Sequence, residues 1–183
     1  SLDSLDDTTF MAMNDVDFPV QKVLDGIEAA AEAGLGPIKI NMVVKRGLND
    51  TSVIDMAAHF KGTGHTLRFI EYMDVGATNG WELGDVVAAQ TLVETLNRAF
   101  PIEPIAPAYP GEVATRWRYR DGTGEIGVIS SVTQPFCGNC TRARLSAVGA
   151  LYTCLFAASG TDLRQLLRQS PDDEALEQTV SSV

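Results

Sequence analysis

Cys137-Gly-Asn-Cys140-Thr-Arg-Ala-Arg144 and, further along, Cys154 hold all three thiols of the chain, spaced C-x2-C-x13-C. Two cysteines three apart make a compact chelate, and a third returning later closes a three-thiolate site. Three thiolates are one short of the usual four for a structural zinc or a complete iron–sulfur cubane. An incomplete set leaves one metal position open, which is what a site needs if it is to hold a substrate. Arg142 and Arg144, directly after the second thiol, point to an anion as that substrate. Three readings stay open at this point. The thiols are buried structural cysteines; or they bind zinc completed by His59 or His65, neither at ligand spacing; or they hold an iron–sulfur cluster with one open iron. Thiolate chemistry favours the last.

Arg142 and Arg144 are two apart in an expected strand, Arg142 to Ser146, so both project from one face as a fork for phosphate or carboxylate. The plain alternative is a solvated cationic strand edge. If Val148-Gly149 is a strict two-residue turn, Cys154 faces Ala143; a longer loop or a bulge changes that parity. Lys39 and Arg68 lie in two expected parallel strands, where a charge is costly unless it meets a partner or lines a cavity. Glu71 and Asp74 are the carboxylates the sequence offers them. Met73 ends the second of these strands, a place where side chains often face a ligand, though alone it reads as core. Asp121-Gly-Thr-Gly124 is only weakly like a phosphate loop; no helix follows it, and it reads as a hairpin turn.

The elements that must position these groups are legible from hydrophobic period. Ser1 to Asp6 reads as the end of a strand entering a turn. Phe18 to Gly34 is a helix, Pro37 to Val44 a strand with Lys39 and Asn41 on one face, and Thr51 to Lys61 a short helix. Thr66 to Met73 is a second strand and Leu83 to Arg98 a second long amphipathic helix. After the proline-rich stretch from Pro101 to Pro110, strands are expected at Ala114 to Tyr119, Glu125 to Ser131, Arg142 to Ser146 and Leu151 to Phe156. A helix from Asp162 to Gln169 precedes an acidic, frayed tail. The fold class is α/β: βα units over residues 1–100, too few to close a barrel and so either a small open sheet or a piece of a longer chain, then an antiparallel region over residues 101–183 that carries the cysteines.

The chain of 183 residues has 45% hydrophobic residues, enough to bury a core. A formal net charge of −10 argues against a nucleic-acid or anionic-membrane binder, so any anionic ligand must be held by local cations. No apolar run reaches membrane-spanning length. The acidic first residues do not form a signal peptide, and clustered thiols suit a reducing compartment, so the cytoplasm is expected.

The run from Gln134 through Cys137, Cys140, Arg142, Ala143 and Arg144 to Gly149-Ala-Leu-Tyr-Thr-Cys154-Leu-Phe resembles the C-terminal cluster motif of the GTP 3′,8-cyclases. These are radical S-adenosylmethionine enzymes that begin molybdenum-cofactor biosynthesis. Leu67-Arg-Phe-Ile-Glu71-Tyr-Met73, Gly124-Glu-Ile-Gly127 and Gly160-Thr-Asp-Leu-Arg164 are similar to the same family, so the likeness runs from Ser1 to about Leu167. It implies an incomplete TIM-type radical-enzyme barrel extended by a C-terminal sheet region. It also implies two 4Fe–4S clusters in the full-length enzyme: one splits S-adenosylmethionine to a radical that abstracts a ribose hydrogen from GTP, and an auxiliary one binds the guanine. Carried over by motif, Cys137, Cys140 and Cys154 would ligate the auxiliary cluster, and Arg142, Ala143, Arg144 and Lys39 would contact GTP. Arg68 falls beside that site, and Ser1 and Met73 are similar to residues near S-adenosylmethionine. The family's N-terminal C-x3-C-x2-C motif and its glycine-ending tail are not in this sequence. The expectation is therefore a C-terminal portion, inactive alone, whose partners are GTP and the N-terminal barrel half. Without that half an apolar sheet edge is exposed, which points to poor solubility or self-association, for example as a homodimer. Two other readings compete: the auxiliary-cluster domain of another radical enzyme, and a non-catalytic zinc-stabilised interaction module.

Overall fold

A computed structural model describes residues 1–75, 80–169 and 173–183, together with only the backbone of Asn139. The chain separates into two compact units, with the change of unit between Cys137 and Gly138.

The first unit is built on a five-stranded mixed sheet of β1 (Lys39–Val44), β2 (Thr66–Glu71), β3 (Ile102–Ile105), β4 (Thr115–Tyr119) and β5 (Glu125–Ile129), in the order β1-β2-β5-β4-β3. β1 with β2 and β2 with β5 are parallel; β4 runs antiparallel to both β5 and β3. Four helices accompany it: α1 (Asp7–Asn14), α2 (Val20–Glu32), α3 (Val53–Phe60) and α4 (Ala89–Ala99). Strand alternation sends Ile40, Met42 and Val44, Leu67 and Phe69, and Ile126 and Val128 to one face, where they join Phe10, Val20, Met56, Phe60, Leu92 and Leu96 in one core. The opposite face carries Lys39, Asn41, Arg68, Arg116 and Gly127.

Three sequence expectations change here. β5 was expected in a purely antiparallel region, but it pairs in parallel with β2, so the strands after residue 100 complete the first sheet. The structural division falls at 137/138, where the sequence pattern had suggested 100/101. The helix expected from Leu83 begins only at Ala89, after a short turn at Leu83–Asp85. Val86 is extended because it bridges Lys45, and the Arg46 guanidinium holds the carbonyls of Gly84 and Val86 at 3.0 Å each.

The first residues behave as the sequence suggests, as a strand-like segment running into a turn. The Leu2 N–H donates to the Asn41 carbonyl at 2.9 Å, and the Asp3 carboxylate accepts from the Val43 N–H at 2.7 Å. The outer edge of β1, expected to be open, is thus partly paired. Buried Asn49 fastens it further by donating to the carbonyls of Asp3 and Val43, each at 2.8 Å. α1 escaped the sequence reading: it has little amphipathic pattern, buries only Phe10, and starts because Asp6 accepts from the Thr9 N–H at 2.8 Å.

Burial pushes the Asp3 carboxyl above its ordinary range, against the opposing effect of the Val43 N–H. Its ionised form therefore carries a penalty above the folded pKa that disappears below the ordinary value of 3.8. Asp3→Asn keeps the acceptor oxygen and removes the charge. At pH 7 it is expected to match or exceed wild type by ~1 kcal/mol, a few degrees in Tm, with the gap closing toward pH 4. Thermal melts at the two pH values check this; a variant that melts lower at pH 7 contradicts it.

The second unit is smaller. β6 (Arg144–Leu145), β7 (Ala150–Tyr152) and β8 (Thr161–Asp162) form an antiparallel sheet in that order, followed by α5 (Leu163–Gln169) and α6 (Asp173–Ser181). The strands expected at Arg142 to Ser146 and Leu151 to Phe156 are thus much shorter, and the tail expected to fray forms a helix. The β6–β7 loop is three residues, Ala147 to Gly149, closed by Ser146 N–H to Ala150 O at 2.9 Å and by Gly149 at φ 80°.

Candidate functional site

In the first unit, the face of the sheet away from the core is cationic and concave. Pairing across the sheet sets Asn41, Arg68, Gly127 and Arg116 in one row over four strands. Arg68, Gly127 and Arg116 border a cleft of about 410 Å³ that also takes in Lys39, His65, Glu112 and Glu125. Arg68 Nε donates to Asn41 Oδ1 at 2.9 Å, which orients the guanidinium stem across the sheet. Arg116 donates to the Glu125 carboxylate at 2.7 Å and to the Ala106 carbonyl at 3.1 Å. Parallel sheets usually have both faces covered. Lys39 and Arg68 both line the cleft, one of the two alternatives the sequence left open for a charge in a parallel strand.

Glu71 is not their partner. Residues 68 and 71 differ by an odd number, so in a strand they face opposite ways. Glu71 is completely buried on the core side, at the end of β2. Its carboxylate accepts from the N–H groups of Ala89 (2.7 Å), Val132 (2.7 Å) and Thr133 (2.8 Å) and from the Thr133 hydroxyl (2.5 Å). Burial pushes its pKa up, but the bonds from Thr133, Ala89 and Val132 outweigh burial and hold it below the usual range. One side chain thus fastens the end of β2 to the start of α4 and to the segment that leads to Cys137. Met73 lies half-buried two residues beyond, and Ser1 is exposed beside fully buried Leu2.

The thiols are all free and exposed. Cys137 opens a short helical turn, Cys137–Asn139, at the end of the first unit; Cys140 and Cys154 belong to the second. Among the described residues, no three His, Cys, Asp or Glu side chains are grouped as a metal site. Arg142 is not in a strand, because β6 begins at Arg144; the expected shared strand face is therefore replaced by a different arrangement. The Arg142 guanidinium folds back onto the preceding thiol, with Nη2 at 3.0 Å and Nε at 3.4 Å from Cys140 Sγ. The Arg142 backbone N–H and then its guanidinium, with added charge from Arg144, lower the Cys140 pKa and favour the thiolate. The Phe156 N–H lies 3.4 Å from Cys154 Sγ, a second donor aimed at sulfur. Arg144 pairs with Tyr152, a register one residue away from the one a strict two-residue turn would give. The three-residue loop sets that register, and the pairing stops short of both Arg142 and Cys154. Ala143 is exposed and Arg144 half-buried. Cys140, whose pKa is lowered, and Cys154 each have an N–H donor near sulfur, the donor pattern that suits thiolate ligands.

A family model described as Molybdenum Cofactor Synthesis C matches residues 65–183. The chain belongs to this family. A GTP 3′,8-cyclase of Acidothermus cellulolyticus is 54% identical over 177 residues, covering 97% of this chain and 49% of the relative. One from Xanthomonas axonopodis pv. citri is 48% identical over 167 residues (91% and 50%), and one from Staphylococcus aureus 41% over 179 residues (97% and 52%). The chain spans about half the length of the curated relatives it matches, consistent with a C-terminal portion. The resemblance read from the cysteine run is thereby borne out at the level of the family. The Molybdenum Cofactor Synthesis C match takes in Arg68, Met73, the three thiols and both arginines beside them; Ser1 and Lys39 precede it. No helix among the described residues is long and apolar enough to cross a membrane. The sequence reading placed Asn41 on the Lys39 face but missed Gly127 and Arg116 as parts of the cleft. Position supplied the only available signal: Asn41 and Gly127 share strand parity with Lys39 and Glu125.

Proposed function

We propose that this chain is the auxiliary-cluster, GTP-binding part of a GTP 3′,8-cyclase, an enzyme that converts GTP to (8S)-3′,8-cyclo-7,8-dihydroguanosine 5′-triphosphate in molybdenum-cofactor biosynthesis. The observation that carries this reading is the Arg142 guanidinium seated on the Cys140 thiol, with Arg144 two residues on. A thiol that would bind the cluster and a cation that would bind phosphate lie on one short stretch, which supports the reading. Cys137, Cys140 and Cys154 would hold a 4Fe–4S group whose fourth iron position is left to substrate. That group would supply a Lewis-acidic site for the guanine. Arg142, Ala143 and Arg144 would contact GTP, and Lys39 and Arg68 are further candidates to contact it. Ser1 and Met73 would lie near S-adenosylmethionine. β1 and β2, with helices on one face only, would be the last βα units of an incomplete barrel. A preceding half, carrying the second 4Fe–4S cluster, would be needed for turnover in the cytoplasm, and this chain alone would be inactive.

Anaerobic reconstitution tests the reading. About four irons and four sulfides per chain are expected, with loss or destabilisation of the cluster in Cys154→Ser. One zinc without sulfide would instead establish the zinc-stabilised module and remove the cluster assignment. A loaded cluster without GTP affinity would favour a radical enzyme with another anionic substrate.

A further inference from the structure

Gly127 sits in the middle of β5, on the cleft face, between Arg68 on one neighbouring strand and Arg116 on the other. Its backbone is ordinary extended strand, so no conformational demand explains a glycine there. Proximity does. A Cβ at position 127 would lie 2.9 Å from Arg68 Cγ, 3.4 Å from Arg68 Cδ and 3.2 Å from the Ala114 methyl. Glycine within a strand marks a place where another group comes close to the backbone. Here that group is the aliphatic stem of Arg68, whose Cγ and Cδ lie against β5 while its Nε is held by Asn41 on β1 at 2.9 Å.

We infer that Gly127 is a positioning residue for the anion site: its bare Cα lets the Arg68 stem lie close against β5 while the guanidinium Nε is held by Asn41 on β1. This rests on the reading that Arg68 takes part in binding GTP. A methyl at 127 displaces the stem at Cγ and Cδ, because the Ala114 methyl closes the other side, and so shifts the guanidinium from its place on Asn41. The guanidinium remains in the protein but no longer points where the phosphates lie. Gly127 acts through Arg68 and touches no reacting atom.

GTP titration of the anaerobically reconstituted protein, as wild type, Gly127→Ala, Arg68→Ala and the double variant, tests the inference. Gly127→Ala is expected to weaken GTP by about tenfold, the loss of one charge-assisted contact, and Arg68→Ala by at least as much. The double variant should bind like Arg68→Ala within about twofold, because removing the stem removes the crowding. It also lacks the contacts at 2.9 and 3.4 Å to the Arg68 stem and keeps only the one at 3.2 Å to the Ala114 methyl, which guards against a single variant that is merely unstable. Independently of GTP, the guanidinium Nε–H signal of Arg68, slowed in exchange by Asn41, should be lost in Gly127→Ala. Wild-type affinity in Gly127→Ala beside a weakened Arg68→Ala would overturn the inference. So would multiplying losses in the double variant, which mark damage unrelated to Arg68. If Arg68→Ala binds GTP like wild type while Gly127→Ala still loses the Nε–H signal, the nucleotide reading of Arg68 fails and the inference falls with its premise.

Discussion

Glu71→Ala is expected to cost the first unit on the order of 4 kcal/mol or to prevent its folding outright. The carboxylate is completely buried and accepts four hydrogen bonds, from Ala89, Val132 and twice from Thr133. Alanine leaves those donors without a partner in a space that water reaches poorly, and each orphaned donor costs about 1–3 kcal/mol. Glutamine is the informative companion. It fills the same volume and keeps one oxygen, but turns an NH2 group toward N–H donors, so about half the loss is expected. Chemical denaturation of the three proteins checks the order wild type, Gln, Ala. Wild-type stability in Glu71→Ala would mean that the three segments hold together without the carboxylate.

The same bonds set a pH dependence. Burial alone would raise the Glu71 pKa, but the hydrogen bonds prevail and the folded value lies below the ordinary 4.5. The stabilisation is therefore fully present above pH 4.5 and is lost as pH falls through the lower, folded value. Wild type and Glu71→Gln should converge in stability over that acid range. Asp3 works the other way, since its burial penalty is relieved on acidification. Comparing Glu71→Gln in an Asp3→Asn background isolates the Glu71 contribution from that opposing effect.

Elements with a strong period were legible in the sequence: α2, β1, β2, α3 and the β4–β5 hairpin each fall where alternation or helical spacing places them. α1 was not, because an Asp6 cap and one buried phenylalanine give it little periodic signal. Nor was the start of α4. Hydrophobic spacing extends to Leu83, but the Arg46 side chain and the Lys45 bridge to Val86 hold that stretch extended, a tertiary effect no local window contains. The parallel pairing of β5 with β2 is a long-range choice of the same kind. At the site, residue type announced the thiols and arginines, whereas their geometry depended on one residue of loop length. Glu71 could have been read better. Strand parity alone separates it from Arg68, and a carboxylate sharing parity with Leu67 and Phe69 must find its partners inside the core.

In the second unit, the corresponding weak point is Gly149, and Gly149→Ala is expected to cost about 2–4 kcal/mol there while sparing the first unit. Two penalties act together. The residue sits at φ 80°, a conformation disfavoured for alanine by about 1 kcal/mol. An added Cβ would also lie 2.7 Å from Arg164 Cβ and 3.5 Å from its Cα. Those atoms are not the far end of a flexible side chain; they belong to α5, whose first N–H groups, Leu163 and Arg164, donate to the Gly149 carbonyl at 3.0 and 3.2 Å. Making room for the methyl therefore means moving the helix start or breaking those bonds. Because the hairpin carries Arg144 and runs on to Cys154, the damage should reach the thiol region before it reaches the sheet. Hydrogen exchange should rise across residues 144–164 and stay slow across 39–71, and the reconstituted variant should hold less iron and sulfide. Uniform exchange in both regions would show that the hairpin and α5 do not depend on this contact.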